Sequence, residues 1–161
     1  MDQVITALFS ASRQGNVPVL NEIFEIISNV DVRDERGYTP LIIAAYNNQY
    51  DAVKALLYAG ADINATDGSG NTALMGVCFK GYADIAQLLI ANGANVNAMH
   101  GNGGTALMFA VMFGRNDIIE TLIDYGADVS LKDKRGLDVL DIAFQQGNTA
   151  AVDVLQKVRA A

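Results

Sequence analysis

The sequence predicts an all-α solenoid of five stacked helix pairs joined by hairpin-like turns. Three observations predict it. A strict 33-residue period runs through the chain without gaps: Thr6, Thr39, Thr72, Thr105 and Asp138 fall in register, and so do Gly15, Asn48, Gly81, Gly114 and Gly147. Each period holds two short apolar patterns at helical spacing, and a second glycine set, Gly60, Gly93 and Gly126, closes the latter of them. The first and last periods depart from the rest. A fixed period of this length marks a stacked array, in which each unit buries its faces against its neighbours rather than around one central core.

Taken in order, each unit opens on a turn, except that the first lacks the full turn. Asp34-Glu-Arg-Gly37, Asp67-Gly-Ser-Gly70 and Asp133-Lys-Arg-Gly136 are type-I-like turn sequences. A first helix follows, with Thr6, Thr39, Thr72, Thr105 or Asp138 as its N-cap, because each side chain accepts a hydrogen bond from an orphan N–H. Pro40 suits the first helical position, where no intrahelical bond is lost. Gly15, Asn48, Gly81, Gly114 and Gly147 stop this helix in the left-handed conformation. The second helix begins near Asp51, Asp84 and Asp117, whose charge favours its first turn. Apolar residues then recur at helical spacing, as in Ile118, Ile119, Leu122 and Ile123. Residues 34–66, 67–99 and 100–132 read as complete units. Residues 1–33 and 133–161 read as atypical end units that shield the stack from water. In the first, Ile27 replaces a helix-ending glycine and Pro18 sits in the first turn of the second helix. In the last, Phe144 replaces a small residue. The whole of 1–161 is thus expected to be one domain.

This pattern resembles the ankyrin repeat family. The resemblance rests on Gly37-Tyr-Thr-Pro-Leu-Ile-Ile-Ala-Ala45, Leu56-Leu-Tyr-Ala-Gly-Ala-Asp-Ile-Asn-Ala65, Leu88-Leu-Ile-Ala-Asn-Gly-Ala-Asn-Val-Asn-Ala98 and Leu122-Ile-Asp-Tyr-Gly-Ala-Asp-Val129, and it covers essentially the whole chain. One departure is consistent: the histidine of the family's Thr-Pro-Leu-His motif is replaced by Ile42, Met75, Met108 and Asp141. Apolar packing is expected to replace that polar link, except at Asp141. The Met-rich, histidine-poor units resemble those of small stand-alone bacterial ankyrin proteins.

Composition limits the function. The formal net charge of −7 argues against nucleic acid, which needs a basic stripe. No apolar run is long enough for a membrane span, and no basic-then-apolar leader is visible at the start. A cytoplasmic location is the expectation. The single cysteine, Cys78, aligns with Ala45 and Val111 and reads as a small buried hydrophobe. The single histidine, His100, stands where other units have the turn aspartate, so no zinc site and no nucleophile–base pair is expected. Gly101-Asn-Gly-Gly104 lacks the lysine and hydroxyl residue of a phosphate loop and reads as a turn. No cofactor, metal or catalytic residue is assigned, and the chain is read as non-enzymatic.

The remaining reading is a binding surface. The resemblance implies a concave face made by the turns and the exposed edges of the first helices. By register the helix positions are Tyr46 and Asn47, Phe79 and Lys80, Met112 and Phe113, and the turn tips add Tyr38, Asn71, Asn102 and Arg135. Aromatic residues and Met are enriched at interface centres, and several apolar residues in register on one face point to a contact site. The expected function is recognition of a protein partner, with regulation or protection of an enzyme by covering it as the narrower form. Self-association through the same patch is the alternative, and a monomer is favoured over a homodimer.

Overall fold

A computed structural model describes residues 2–161. Ten helices form among the described residues, in five antiparallel pairs: α1 (Asp2–Gln14) with α2 (Val17–Phe24), α3 (Pro40–Tyr46) with α4 (Tyr50–Tyr58), α5 (Ala73–Lys80) with α6 (Ala83–Ala91), α7 (Ala106–Met112) with α8 (Asn116–Asp124), and α9 (Val139–Gln145) with α10 (Thr149–Ala160). The odd-numbered helices pack on one another in sequence order and form one layer. The even-numbered helices form the second. One isolated bridge, Thr66 to Thr72, is the only β-type pairing among the described residues.

Local chemistry sets each boundary. Thr39, Thr72 and Thr105 accept the amides of Ile42, Met75 and Met108, and Asp138 forms a reciprocal capping box with Asp141. Thr6 does not cap. It lies inside α1, exposed, and its hydroxyl donates to the carbonyl of Asp2 four residues back. The backbone of Asp2–Ile5 is already helical, so α1 extends past the register position at which the other first helices begin. At the other helix end, Asn48 adopts φ 59°, the one non-glycine residue with positive φ among those described.

The core lies between the two layers and between successive units. Ala45, Cys78 and Val111 occupy one register position and are fully buried. Met75 and Met108 are 2% and 3% exposed, so apolar packing does stand where the family places histidine. Asp141 is exposed and serves the capping box instead. Burial pushes the Cys78 thiol well above its ordinary range, which keeps it protonated and unreactive. Phe144 is exposed on α9, and Arg159 of α10 pairs with Asp138, the N-cap of α9.

Neighbouring units are also clasped by hydrogen bonds. Consecutive turn tips join through Gly68 N–H to Arg36 C=O, Gly101 N–H to Ser69 C=O and Lys134 N–H to Asn102 C=O, all near 3.0 Å. Where one first helix ends, the next unit sends a side chain: Gln49 donates to Arg13 C=O, and Arg115 donates to Phe79 C=O at 3.1 Å. These clasps fix the spacing of the turn tips and first helices, and therefore the shape of the face they share.

Candidate binding face

Three aromatic side chains from successive units form a continuous row at the ends of the odd-numbered helices. Tyr46 closes α3, Phe79 lies in the last turn of α5, and Phe113 is the C-cap of α7. The Tyr46 and Phe79 rings are parallel within 4°, with centroids 6.3 Å apart. Phe79 meets Phe113 edge-on at 4.7 Å. Both distances fall in the range where aromatic pairs attract beyond simple area burial. The Lys80 ammonium lies 4.7 Å from the Tyr46 ring centroid, within cation–π range. The three rings are 42%, 36% and 39% exposed, so the row is held from within yet open to a partner.

Tyr46 meets Phe79 in register, whereas two other contacts run diagonally across it. Tyr46 meets Lys80 and Phe79 meets Phe113, each pair one position beyond the 33-residue period. Met112, in the same register position as Tyr46 and Phe79, is half-buried against the core.

Between this row and the turn tips runs a groove of about 560 Å³. Tyr38, Asn47, Asn71 and Asn102 line it together with Tyr46 and Phe79. A second groove of about 530 Å³ continues along the stack and is lined by Met112, Asn102 and Arg135. Of the residues expected at the site, Tyr46, Phe79, Lys80 and Phe113 form one cluster. Others are engaged within their own units. Asn71 Nδ2 donates to the Asp67 carboxylate, Asn47 Nδ2 donates to Ile43 C=O, and Arg135 pairs with Asp133 at 2.7 Å.

The turn aspartates hold the groove's far wall. Asp67 Oδ1 accepts the amides of Ser69 and Asn71, and Asp133 Oδ1 accepts those of Arg135 and Leu137. His100 fills this role in its own turn: its Nδ1 accepts the Asn102 amide at 3.2 Å. A Cβ on Gly104 would stand 2.6 Å from His100 Nε2, so the ring occupies the space that a side chain there would need. His100 also packs against Phe109, at 5.2 Å between centroids.

Gly76 and Phe109 are among the groove residues that escape the sequence reading. Both share a register position with Ile43 and Ile142, three residues before the first of the positions chosen from the sequence. The available signal was Gly76 itself, a glycine inside a helix where the counterparts in units two, four and five are large. On the other layer, Tyr58 is 97% exposed at the end of α4 and stands without an aromatic partner.

Among the described residues no group of three or more His, Cys, Asp or Glu side chains could hold a metal ion. No described helix is long and apolar enough to cross a membrane.

Comparison with known proteins agrees with this architecture. The family profile for ankyrin repeats (three copies) matches residues 2–67 and 62–133. Among individual proteins, the chain is 44% identical over 59 residues to palmitoyltransferase akr1 of Aspergillus oryzae, covering 36% of this chain and 8% of that protein. It is 39% identical over 59 residues to ankyrin repeat domain-containing protein 29 of Danio rerio, covering 36% of this chain and 20% of that protein. An ankyrin repeat protein of Monkeypox virus, OPG189, is 47% identical over 47 residues, covering 27% of this chain and 8% of that protein. The matches thus span a small part of each relative's length.

Proposed function

Because the chain belongs to the ankyrin repeat family, whose repeats mediate contacts between proteins, we propose that it binds a protein partner on the face made by the odd-numbered helices and the turn tips. In this reading residues 1–161 act as one binding unit, 1–33 and 133–161 close its ends, and the chain catalyses no reaction. The effect on the partner is exerted by covering it, which would regulate or protect an enzyme without chemistry on this chain. The observation that carries the reading is the aromatic row of Tyr46, Phe79 and Phe113. Its members touch one another yet stay more than one-third exposed. Pre-ordered aromatic rings lose little conformational freedom when a partner covers them, and aromatic clusters of this kind concentrate binding energy.

The test compares two double variants as bait in capture from the source cells, followed by affinity measurement on the captured protein. Phe79→Ser with Phe113→Ser should weaken binding by about 2–4 kcal/mol, the range of a lost hot spot. Glu120→Gln with Asp124→Asn, on α8 in the other layer, should leave it unchanged. Far-UV circular dichroism should show the same helix content for both. Normal binding by the phenylalanine variant, with loss in the α8 variant, would refute the assignment of the face. A concentration-dependent dimer in sedimentation, abolished by the phenylalanine variant, would give the row to self-association instead.

A further inference from the structure

We infer that the groove beside Gly76 is a socket for one apolar side chain carried on an extended, acidic segment of the partner. The inference rests on the proposed function for the site of contact and adds what the partner must present there.

The socket begins with a missing side chain. Register position 76 is isoleucine and phenylalanine in the two flanking units, at Ile43 and Phe109, isoleucine at Ile142 in the last unit and serine at Ser10 in the first. Gly76 sits in the middle of α5 and is not among the residues with positive φ, so the backbone does not call for glycine. Glycine at such a site destabilises a helix relative to alanine. What its missing side chain provides is room for a neighbouring ring: a Cβ there would stand 3.2 Å from Cδ2 of Tyr46. The Tyr46 ring therefore lies close over the α5 backbone, and the groove keeps an apolar floor of Ile43, Gly76, Phe79 and Phe109.

The walls describe the rest of the ligand. One side of the groove is built from α1, α3, α5 and α7, the other from successive turn tips at Arg36, Ser69 and Asn102. A channel that runs along the stack between two such walls suits an extended chain. Arg13 and Arg36 line it, and Lys80 covers the neighbouring ring of Tyr46. The two ion pairs among the described residues are Arg135–Asp133 and Arg159–Asp138, so these three cations belong to neither. The one carboxylate lining this groove, Asp67, already accepts hydrogen bonds from Ser69 N–H, Asn71 N–H and Asn71 Nδ2. The groove is thus cationic on a chain of net charge −7. An acidic segment is attracted by Arg13, Arg36 and Lys80 at this channel on a chain that is acidic in total, which gives specificity as well as encounter rate.

The test is selection of displayed random peptides of about 12 residues on the intact protein. The enriched sequences are then synthesised with a fluorescent label and titrated by polarisation. The expected consensus has one Phe, Leu or Met flanked by Asp and Glu, and binding weakens as salt is raised. Replacing the anchor by alanine should weaken binding about tenfold. Gly76→Ile should do the same and should make anchored and anchorless peptides bind alike. Gly76→Ala, a smaller intrusion, should give an intermediate loss if the isoleucine variant folds poorly. Arg13→Glu with Arg36→Glu should remove the preference for acidic peptides. A basic or uncharged consensus, affinity indifferent to Gly76, or no enrichment at all would each overturn the socket. If Phe79 and Phe113 still govern partner capture in that event, the proposed function stands and only the socket falls. If they do not, both fall.

Discussion

Helix α5 presents two surfaces that obey different rules. Toward its neighbours it places Leu74, Met75, Val77 and Cys78, all at most 2% exposed. Toward the groove it places Gly76, Phe79 and Lys80. On the core side the register varies within a narrow class: alanine, cysteine and valine share one fully buried position at Ala45, Cys78 and Val111. On the groove side one position ranges from Gly76 to Phe109. A close-packed interior constrains volume at every site, whereas a surface groove does not. Under the proposed function, variation at the groove-facing residues Gly76 and Phe109 sets what the groove contacts. The core side tells how the stack holds, and the groove side tells how this unit differs from its neighbours.

The sharpest way to break that contrast is to truncate the core side. Met75→Ala and Met108→Ala should each cost about 2–5 kcal/mol, read as a lower midpoint in urea unfolding, because each removes a nearly fully buried side chain and leaves a cavity. Met75→Leu should cost less than about 1.5 kcal/mol, since volume is nearly conserved. An alanine variant that melts like the parent would show that methionine has not replaced the family's histidine as a packing element.

A smaller effect separates two helix stops that look alike in sequence. Gly81 and Gly114 both hold the left-handed conformation, at φ 84° and 68°. A Cβ at Gly114 meets nothing within 4 Å, whereas one at Gly81 would lie 2.8 Å from Nε of Arg115. Gly114→Ala should therefore cost about 1–2 kcal/mol from backbone strain alone. Gly81→Ala should cost more, because it also displaces the guanidinium that donates to Phe79 C=O. A double-mutant cycle with Arg115→Ala checks this: the two glycine sites should become equal once the guanidinium is gone. Equal costs with Arg115 present would remove the clasp from the account.

Much of this architecture was legible because backbone requirements leave a residue signature. The glycine and Asn48 register read correctly as left-handed stops, since few residues tolerate positive φ. Thr39, Thr72 and Thr105 read correctly as caps. Thr6 did not, because a residue able to cap does so only where the preceding backbone leaves the helix, and Asp2–Ile5 does not. The exposed aromatic row was also visible, since Tyr46, Phe79 and Phe113 follow a buried stretch. The diagonal pairing of Phe79 with Phe113 was not: contacts between units depend on helix offset, which the period does not contain. The role of His100 was hidden for a related reason. Its Nδ1 takes over an aspartate's hydrogen bond only because Gly104 leaves room for the ring.

The smallest expected effect goes in the favourable direction. Gly76→Ala should raise stability by about 0.5–1 kcal/mol, the ordinary gain from removing a mid-helix glycine. The new methyl would sit 3.2 Å from Cδ2 of Tyr46, closer than a relaxed contact, so the ring must retreat by a few tenths of an ångström. Tyr46 is 42% exposed and is flanked on its outer side by the flexible Lys80, so it has room to do so. The gain should therefore survive, and adding Tyr46→Ala should change it little beyond the cost of losing the ring itself. Thermal unfolding of the four proteins in this cycle reads the result. A loss of stability in Gly76→Ala that Tyr46→Ala restores would mean that the ring is locked over α5 and that glycine is required for folding. A gain means that the glycine is held against the helix's own preference, and the stability forgone there is the clearest mark that the groove side is shaped by something other than the fold.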